Sequence, residues 1–100
     1  MFTKAKILFK LSHLKPILNE EFNIEKIGLF GSFATENYNE NSDIDILFEL
    51  KGDEILSLKS NQKLEELFIK EFQTHKIDLV NKKYLNPIIE QFIKDKIVYV

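Results

Sequence analysis

Two aspartates stand one residue apart in the run Asp43-Ile44-Asp45-Ile46-Leu47-Phe48-Glu49-Leu50, with apolar residues between them. A period of two is that of a strand, so Asp43 and Asp45 project from the same face. Carboxylates held that close repel each other unless a cation lies between them, and at least one then resists ionising. Such oxygen donors suit Mg²⁺, which is bound by a few carboxylates together with water and substrate phosphates. Taken alone, an Asp-x-Asp strand also suits a plain polar face beside solvent. Upstream, Gly31-Ser32 closes the apolar segment Ile24 to Phe30, where a strand hands over to a helix. Backbone N–H groups at such a junction, with the Ser32 hydroxyl, can face an anion. Glycine permits both the tight turn and the close approach of phosphate oxygens. A lone Gly-Ser occurs in any turn. Gly31-Ser32, ten residues, then Asp43-x-Asp45 joins an anion cradle to a cation site.

These residues need elements to position them. The chain has 100 residues, 44% apolar and 30% charged, with three glycines and two prolines. That is enough apolar surface for one core, so a single domain over residues 1–100 is expected and disorder is not. Ile7, Leu8, Leu11, Leu14, Ile17 and Leu18 fall three and four apart within Thr3–Phe22 and predict one helix, which Pro16 kinks or restarts. Ile24–Phe30 reads as a buried strand, followed by a short polar helix or turn from Phe33 to Ser42. The strand Asp43–Leu50 places Ile44, Ile46, Phe48 and Leu50 on one face and Asp43, Asp45, Leu47 and Glu49 on the other. After the turn Lys51-Gly52-Asp53, an amphipathic helix over Glu54–Phe72 offers Ile55, Leu58, Leu64, Leu67, Phe68 and Phe72 to the core. Lys76–Val80 is a third strand. Asn86-Pro87 starts a last helix reaching about Asp95, because an Asn cap followed by Pro suits a helix N-terminus. Ile97–Val100 offers a final strand. The order predicts an α/β (α+β) fold, a small mixed sheet flanked by helices.

Composition excludes several classes. The chain has no cysteine, which removes disulfides, thiolate catalysis and cysteine-based zinc sites. No apolar run approaches the roughly 18 residues needed to cross a bilayer. Lysines interrupt the N-terminal apolar residues, so no signal peptide is read there. A cytoplasmic protein without membrane contact is expected. The net charge of −2 gives no concentrated basic face, so direct nucleic-acid binding is not expected. All 14 basic residues are lysine. A bound phosphate would be held by lysine, hydroxyl, backbone N–H or metal, never by a bidentate guanidinium. His13 and His75, far apart in sequence, give no support for a zinc site. Tyr38 suits either stacking on a base or closing its loop over the core. Glu49 shares the aspartate face but lies too far along the strand to join the same ion pair.

The segment GSFATENYNENSDIDILFEL resembles the Gly-Ser, ten residues, Asp-x-Asp signature of the minimal nucleotidyltransferases, within the polymerase-beta-like nucleotidyltransferase superfamily. The likeness runs from about Ile24 to Val80. The family pattern continues with a third carboxylate between apolar residues on a later strand, and Ile77-Asp78-Leu79-Val80 matches it at Asp78. Where many members follow the Gly-Ser with Ala-Arg-Gly, this chain has Ala34-Thr35-Glu36. Lys82 or Lys83 could supply the missing positive charge, or be plain loop lysines. The resemblance implies two-metal transfer of a nucleotide from a nucleoside triphosphate. Asp43, Asp45 and Asp78 would be catalytic and hold two Mg²⁺ ions, with Gly31 and Ser32 on the nucleotide phosphates. It further implies an antitoxin that moves AMP from ATP to a tyrosine of a partner HEPN-domain ribonuclease toxin. The competing expectations are an antitoxin that only binds its partner, or a nucleotidyltransferase for a small molecule or nucleic acid.

Overall fold

Thr3 opens the first helix, its hydroxyl accepting from the Lys6 N–H at 3.2 Å, which satisfies one of the orphan donors of the first turn. The computed structural model describes residues 2–73 and 75–100. Helix α1, Lys4–Phe22, is continuous through Pro16, so no second segment restarts there. Pro16 is exposed, and water can take the Ser12 carbonyl that its missing N–H leaves unpaired. Ile7, Leu11, Leu14, Leu18 and Phe22 form the buried face; Ile17, expected in the core, is exposed, and Leu8 is half-buried. Asn23 ends the helix at φ 56°, a left-handed conformation that asparagine tolerates better than most residues.

Strand β1, Ile24–Phe30, is followed at once by the four-residue helix α2, Gly31–Ala34. Strand β2, Ile44–Leu50, lies antiparallel to β1, with Phe30 opposite Asp45 and Ile27 opposite Phe48. Helix α3 runs over Leu58–Glu71, not from Glu54. Ser57 caps it by accepting from the Ser60 N–H at 3.1 Å. The late start leaves Ile55 and Leu58 outside the core, Leu58 at 88% exposure, while Leu64, Phe68 and Phe72 are buried. Strand β3, Ile77–Asn81, pairs parallel with β2. A 3-10 turn, Lys82–Tyr84, precedes α4, Pro87–Ile93, which stops short of Asp95. Asn86 caps α4 as the sequence predicts, accepting from Ile88 N–H at 2.8 Å. Strand β4 is only Val98–Tyr99, although the Val100 N–H still donates to the Ile27 carbonyl at 3.1 Å. Lys15 on α1 donates to the Val100 carbonyl at 2.8 Å.

The sheet order is β3-β2-β1-β4, antiparallel except for β2 with β3. One face, carrying Ile27, Leu29, Ile44, Ile46 and Phe48, packs on α1 and α3. Each such side chain contributes about 1.5–3 kcal/mol on leaving water, which is what orients the strands. By alternation the other face carries Gly28, Asp45, Leu47 and Asp78. A Cβ at Gly28 would stand 2.7 Å from Ile97 Cγ2 and 3.1 Å from Tyr99 Cδ1, so the C-terminal residues reach onto this face.

Candidate functional site

Asp45 has Phe30 on one side across the antiparallel pair and Asp78 on the other across the parallel pair. The chain leaves β1 at Phe30, and Gly31 turns with φ 74° directly over Asp45. A Cβ on Gly31 would collide with the Asp45 carboxylate, so only glycine admits this approach. β2 begins at Ile44, one residue later than the alternation predicts, so Asp43 precedes the strand, near enough for its charge to act on Asp45. Asp43 and Asp45, Asp78 from a later strand, and Gly31 thus meet at one end of the sheet.

The electrostatics follow from that placement. Asp45 is half-buried, and its pKa is raised from 3.8 to about 6. Loss of hydration on burial is the largest cause, followed by the charges of Asp78 and then Asp43 and a hydrogen bond shared with the Asp78 carboxyl. Every one of these pushes towards the neutral acid, and a cation would reverse the balance. Among the described residues no three His, Asp or Glu side chains form a ready-made metal cage. Mg²⁺ does not need one, since one or two carboxylates with water and phosphate oxygens suffice. The Asp45–Asp78 pair with Asp43 beside it is a donor set of that kind.

The loop from Gly31 to Ser42 is held by its own short bonds. The Thr35 hydroxyl donates to the Gly31 carbonyl at 3.3 Å and lies 3.4 Å from that of Ser32, while the Asn37 N–H donates to the Ser32 carbonyl at 2.9 Å. Helix α2 has no side-chain cap at its start, because its cap residue Phe30 carries no acceptor. Glu36 adopts φ 62°, the left-handed region that favours glycine, and its carboxylate pairs with Lys4 on α1 at 3.6 Å. Tyr38 stacks on the buried Phe33 ring, centroids 4.3 Å apart, and so closes the loop over the core. Just before Asp43, Asn41 N–H donates to Asn39 Oδ1 at 2.8 Å and Asn39 N–H to Ser42 Oγ at 2.9 Å. The short polar helix or turn expected over Phe33–Ser42 thus ends in a turn just before Asp43. Its signal was the cluster Asn39, Asn41 and Ser42, residues that bond their own backbone.

The remaining candidates lie elsewhere. In the parallel register Asn81 stands opposite Phe48, so Lys82 follows at the end of the sheet away from Asp45. Its ammonium is 3.7 Å from Glu49, and it does not replace the absent arginine at the aspartates. His75 is half-buried with its ring edge-on to Phe2 and Phe33. His13 is on the exposed side of α1 against Phe9.

Residues 11–100 match the family model described as nucleotidyltransferase domain. A protein adenylyltransferase MntA of Thermococcus cleftensis is 35% identical over all of this chain and 98% of its own length. A Methanocaldococcus jannaschii relative is 33% identical, matched end to end. Among solved structures, a tri-AMPylated Shewanella oneidensis HEPN toxin in complex with MNT antitoxin superposes with a TM-score of 0.64 at 17% identity, over 91% of this chain and 68% of that one. A toxin-antitoxin with AMP-PNP gives the same TM-score at 24% identity, over 83% of this chain and 63% of that one. At these identities the two structures establish the shared fold.

Proposed function

The chain belongs to the nucleotidyltransferase domain family and is a nucleotidyltransferase, and on that footing we propose that it is an antitoxin moving AMP from ATP to a tyrosine hydroxyl of a HEPN-domain toxin. The observation that carries the reading is the convergence of Asp45, Asp78 and Asp43 beside Gly31. Asp43, Asp45 and Asp78 would hold two Mg²⁺ ions, with Asp45 between the other two. Bound Mg²⁺ would lower the pKa of the acceptor hydroxyl and offset charge on the triphosphate. In the transfer the tyrosine oxygen bonds to the α-phosphorus as the bond to pyrophosphate breaks and the hydroxyl proton is released. The chain's own contribution is placement. Gly31 lets the turn after β1 close onto the Asp45 carboxylate, and the Ser32 hydroxyl beside it donates to the phosphate oxygens. The Lys4 pairing holds the loop carboxylate of Glu36 towards α1.

The choice of a protein acceptor is supported by full-length relatives that bear the name protein adenylyltransferase, and by fold neighbours bound to HEPN toxin. A second reading, neutralisation by binding alone, is favoured by one feature. Thr35-Glu36 stands where the family pattern that the sequence resembles has Arg-Gly, and Lys82, 3.7 Å from Glu49, does not take over that charge. The deciding experiment incubates the chain with the HEPN-domain protein from its own operon, Mg²⁺ and ATP, and weighs both proteins by intact mass spectrometry. Addition of AMP to the partner, absent with Asp43→Asn, is the expected result. A tight complex in which neither protein gains mass would move the assignment to the binding reading.

A further inference from the structure

Helix α2 has only four residues, yet its end carries a complete backbone cap. The Asn37 N–H donates to the Ser32 carbonyl at 2.9 Å, and the Glu36 N–H to the Phe33 carbonyl at 3.4 Å. This pair of bonds needs a left-handed residue between helix and loop, and Glu36 supplies it at φ 62°. Glycine is the usual residue there, and the resembled Arg-Gly pattern has it; here the cap forms with Glu36 in its place. What Thr35 adds is a hydroxyl. Asn37 Nδ2 donates to Thr35 Oγ1 at 3.3 Å, so the oxygen serves Asn37 as acceptor. The single hydroxyl proton is thereby left for the Gly31 and Ser32 carbonyls, 3.3 and 3.4 Å away. Thr35 and Asn37 are both exposed, and neither side chain belongs to the core.

We propose that Thr35 is a positioning residue for the nucleotide: its hydroxyl, oriented by Asn37, clasps the Gly31 and Ser32 carbonyls on the loop side of the turn and so fixes Ser32 for its contact with phosphate. A carbonyl oxygen free to swing towards a triphosphate would repel it, and these two are held by loop donors instead. In a planar trans peptide the carbonyl and the following N–H point opposite ways, so the clasp also turns the Ser32 and Phe33 N–H groups away from Thr35. Gly31 is then fixed from two sides, its Cα against the Asp45 carboxylate and its carbonyl by Thr35. A four-residue helix does not hold such a geometry on propensity alone, and the cap and the hydroxyl supply the difference. Arginine at this position would bring no hydroxyl, so the clasp belongs to the local sequence Thr35-Glu36-Asn37. The inference rests on the reading of Gly31-Ser32 as the phosphate turn of a nucleotidyltransferase.

The test compares wild type with Thr35→Val, which keeps the branched shape and loses the hydroxyl, and with Thr35→Ser, which keeps the hydroxyl. Calorimetry without a partner gives the Kd for Mg²⁺-ATP. Steady-state AMP incorporation into the HEPN-domain operon partner gives kcat and the KM of each substrate, and urea unfolding reports the fold. Thr35→Val should raise the Kd and KM for Mg²⁺-ATP by about three- to tenfold, the range of one net hydrogen bond, with kcat and acceptor KM kept. Thr35→Ser should restore wild-type values. If Thr35→Val does not fold, Asn37→Ala takes its place, since it removes the donor that directs the hydroxyl proton, and the same direction of change is expected. An unchanged Kd for Mg²⁺-ATP overturns the inference, and so does a loss that Thr35→Ser does not repair. Parallel losses in kcat, acceptor KM and unfolding stability would make the role one of folding alone and overturn it too. Wild type that binds Mg²⁺-ATP without modifying the partner removes the transfer reading alone, and the Kd comparison then decides the clasp. Wild type that binds no Mg²⁺-ATP removes both.

Discussion

The Cα of Gly31 rests against the carboxylate of Asp45, leaving no room for even a methyl group between the turn after β1 and the start of β2. This contact couples the loop that would hold phosphate to the strand that would hold metal. Gly31→Ala should therefore fail twice, once on its left-handed φ of 74° and once on the collision. We expect a loss of about 1–3 kcal/mol in urea unfolding and no transfer activity. An active, fully stable Gly31→Ala would show that the contact is not kept in solution.

Asp45 gives a pH test with a definite sign. Its folded pKa of about 6 lies above the unfolded 3.8, so in that window the folded chain keeps a proton that the unfolded chain has released. Stability contributed by Asp45 is therefore lost as pH rises through that window, and the full penalty applies above it. Asp45→Asn should raise Tm at pH 7.5 by several degrees, a gain on the order of 1 kcal/mol after discounting for solvent screening of a half-buried group. At pH 4 the gain should be nearly gone. The same variant should abolish AMP transfer. A Tm gain independent of pH would mean that burial and charge are not its cause.

Mg²⁺ should act on the same group from the other direction. Adding it to wild type at pH 7.5 should raise Tm, because a cation favours the ionised Asp45 that the fold otherwise disfavours. The rise should shrink at pH 4 and be smaller in Asp45→Asn, and chelation should reverse it. Equal stabilisation of wild type and variant would place the ion elsewhere.

Glu36 holds a backbone conformation that costs a non-glycine residue about 1–2 kcal/mol. Its ion pair with Lys4 is exposed and returns at most about 1 kcal/mol. Glu36→Gly should consequently stabilise the fold by about 0.5–1 kcal/mol in urea unfolding, whereas Glu36→Ala, which keeps the strain and loses the pair, should not. If both variants lose stability equally, the ion pair outweighs the strain.

Much of this was legible in the sequence because it rests on strict local period. The alternation over Ile44–Leu50 marked β2 and put Asp45 on the face opposite Ile44, Ile46 and Phe48, and Asn86-Pro87 marked the start of α4. Where the reading slipped, local signals competed. Ile55 and Leu58 continue the apolar rhythm of α3, yet the Ser57 hydroxyl cap starts the helix at Leu58, which leaves Ile55 before it and Leu58 exposed in its first turn. Ile17 fits the spacing of α1 but falls at the margin of its buried stripe, which the sheet width decides. The neighbourhood of Asp45 was readable only as a motif. That Asp78 stands beside it depends on a parallel pairing that no local pattern encodes, and that Glu36 strains the loop depends on a dihedral angle.

That parallel pairing has a kinetic consequence. β1 and β2 are linked by a short loop and can associate early, but β3 reaches β2 only after the segment from Lys51 to Lys76, with α3 inside it, has wrapped round. Long closures of this kind are the slow part of folding. Here the closing step also drives Asp78 against Asp45, so charge repulsion opposes the last strand at the moment it arrives. Refolding should accordingly run faster at pH 5 than at pH 8, and the site itself acts as a brake on the assembly of the sheet that carries it.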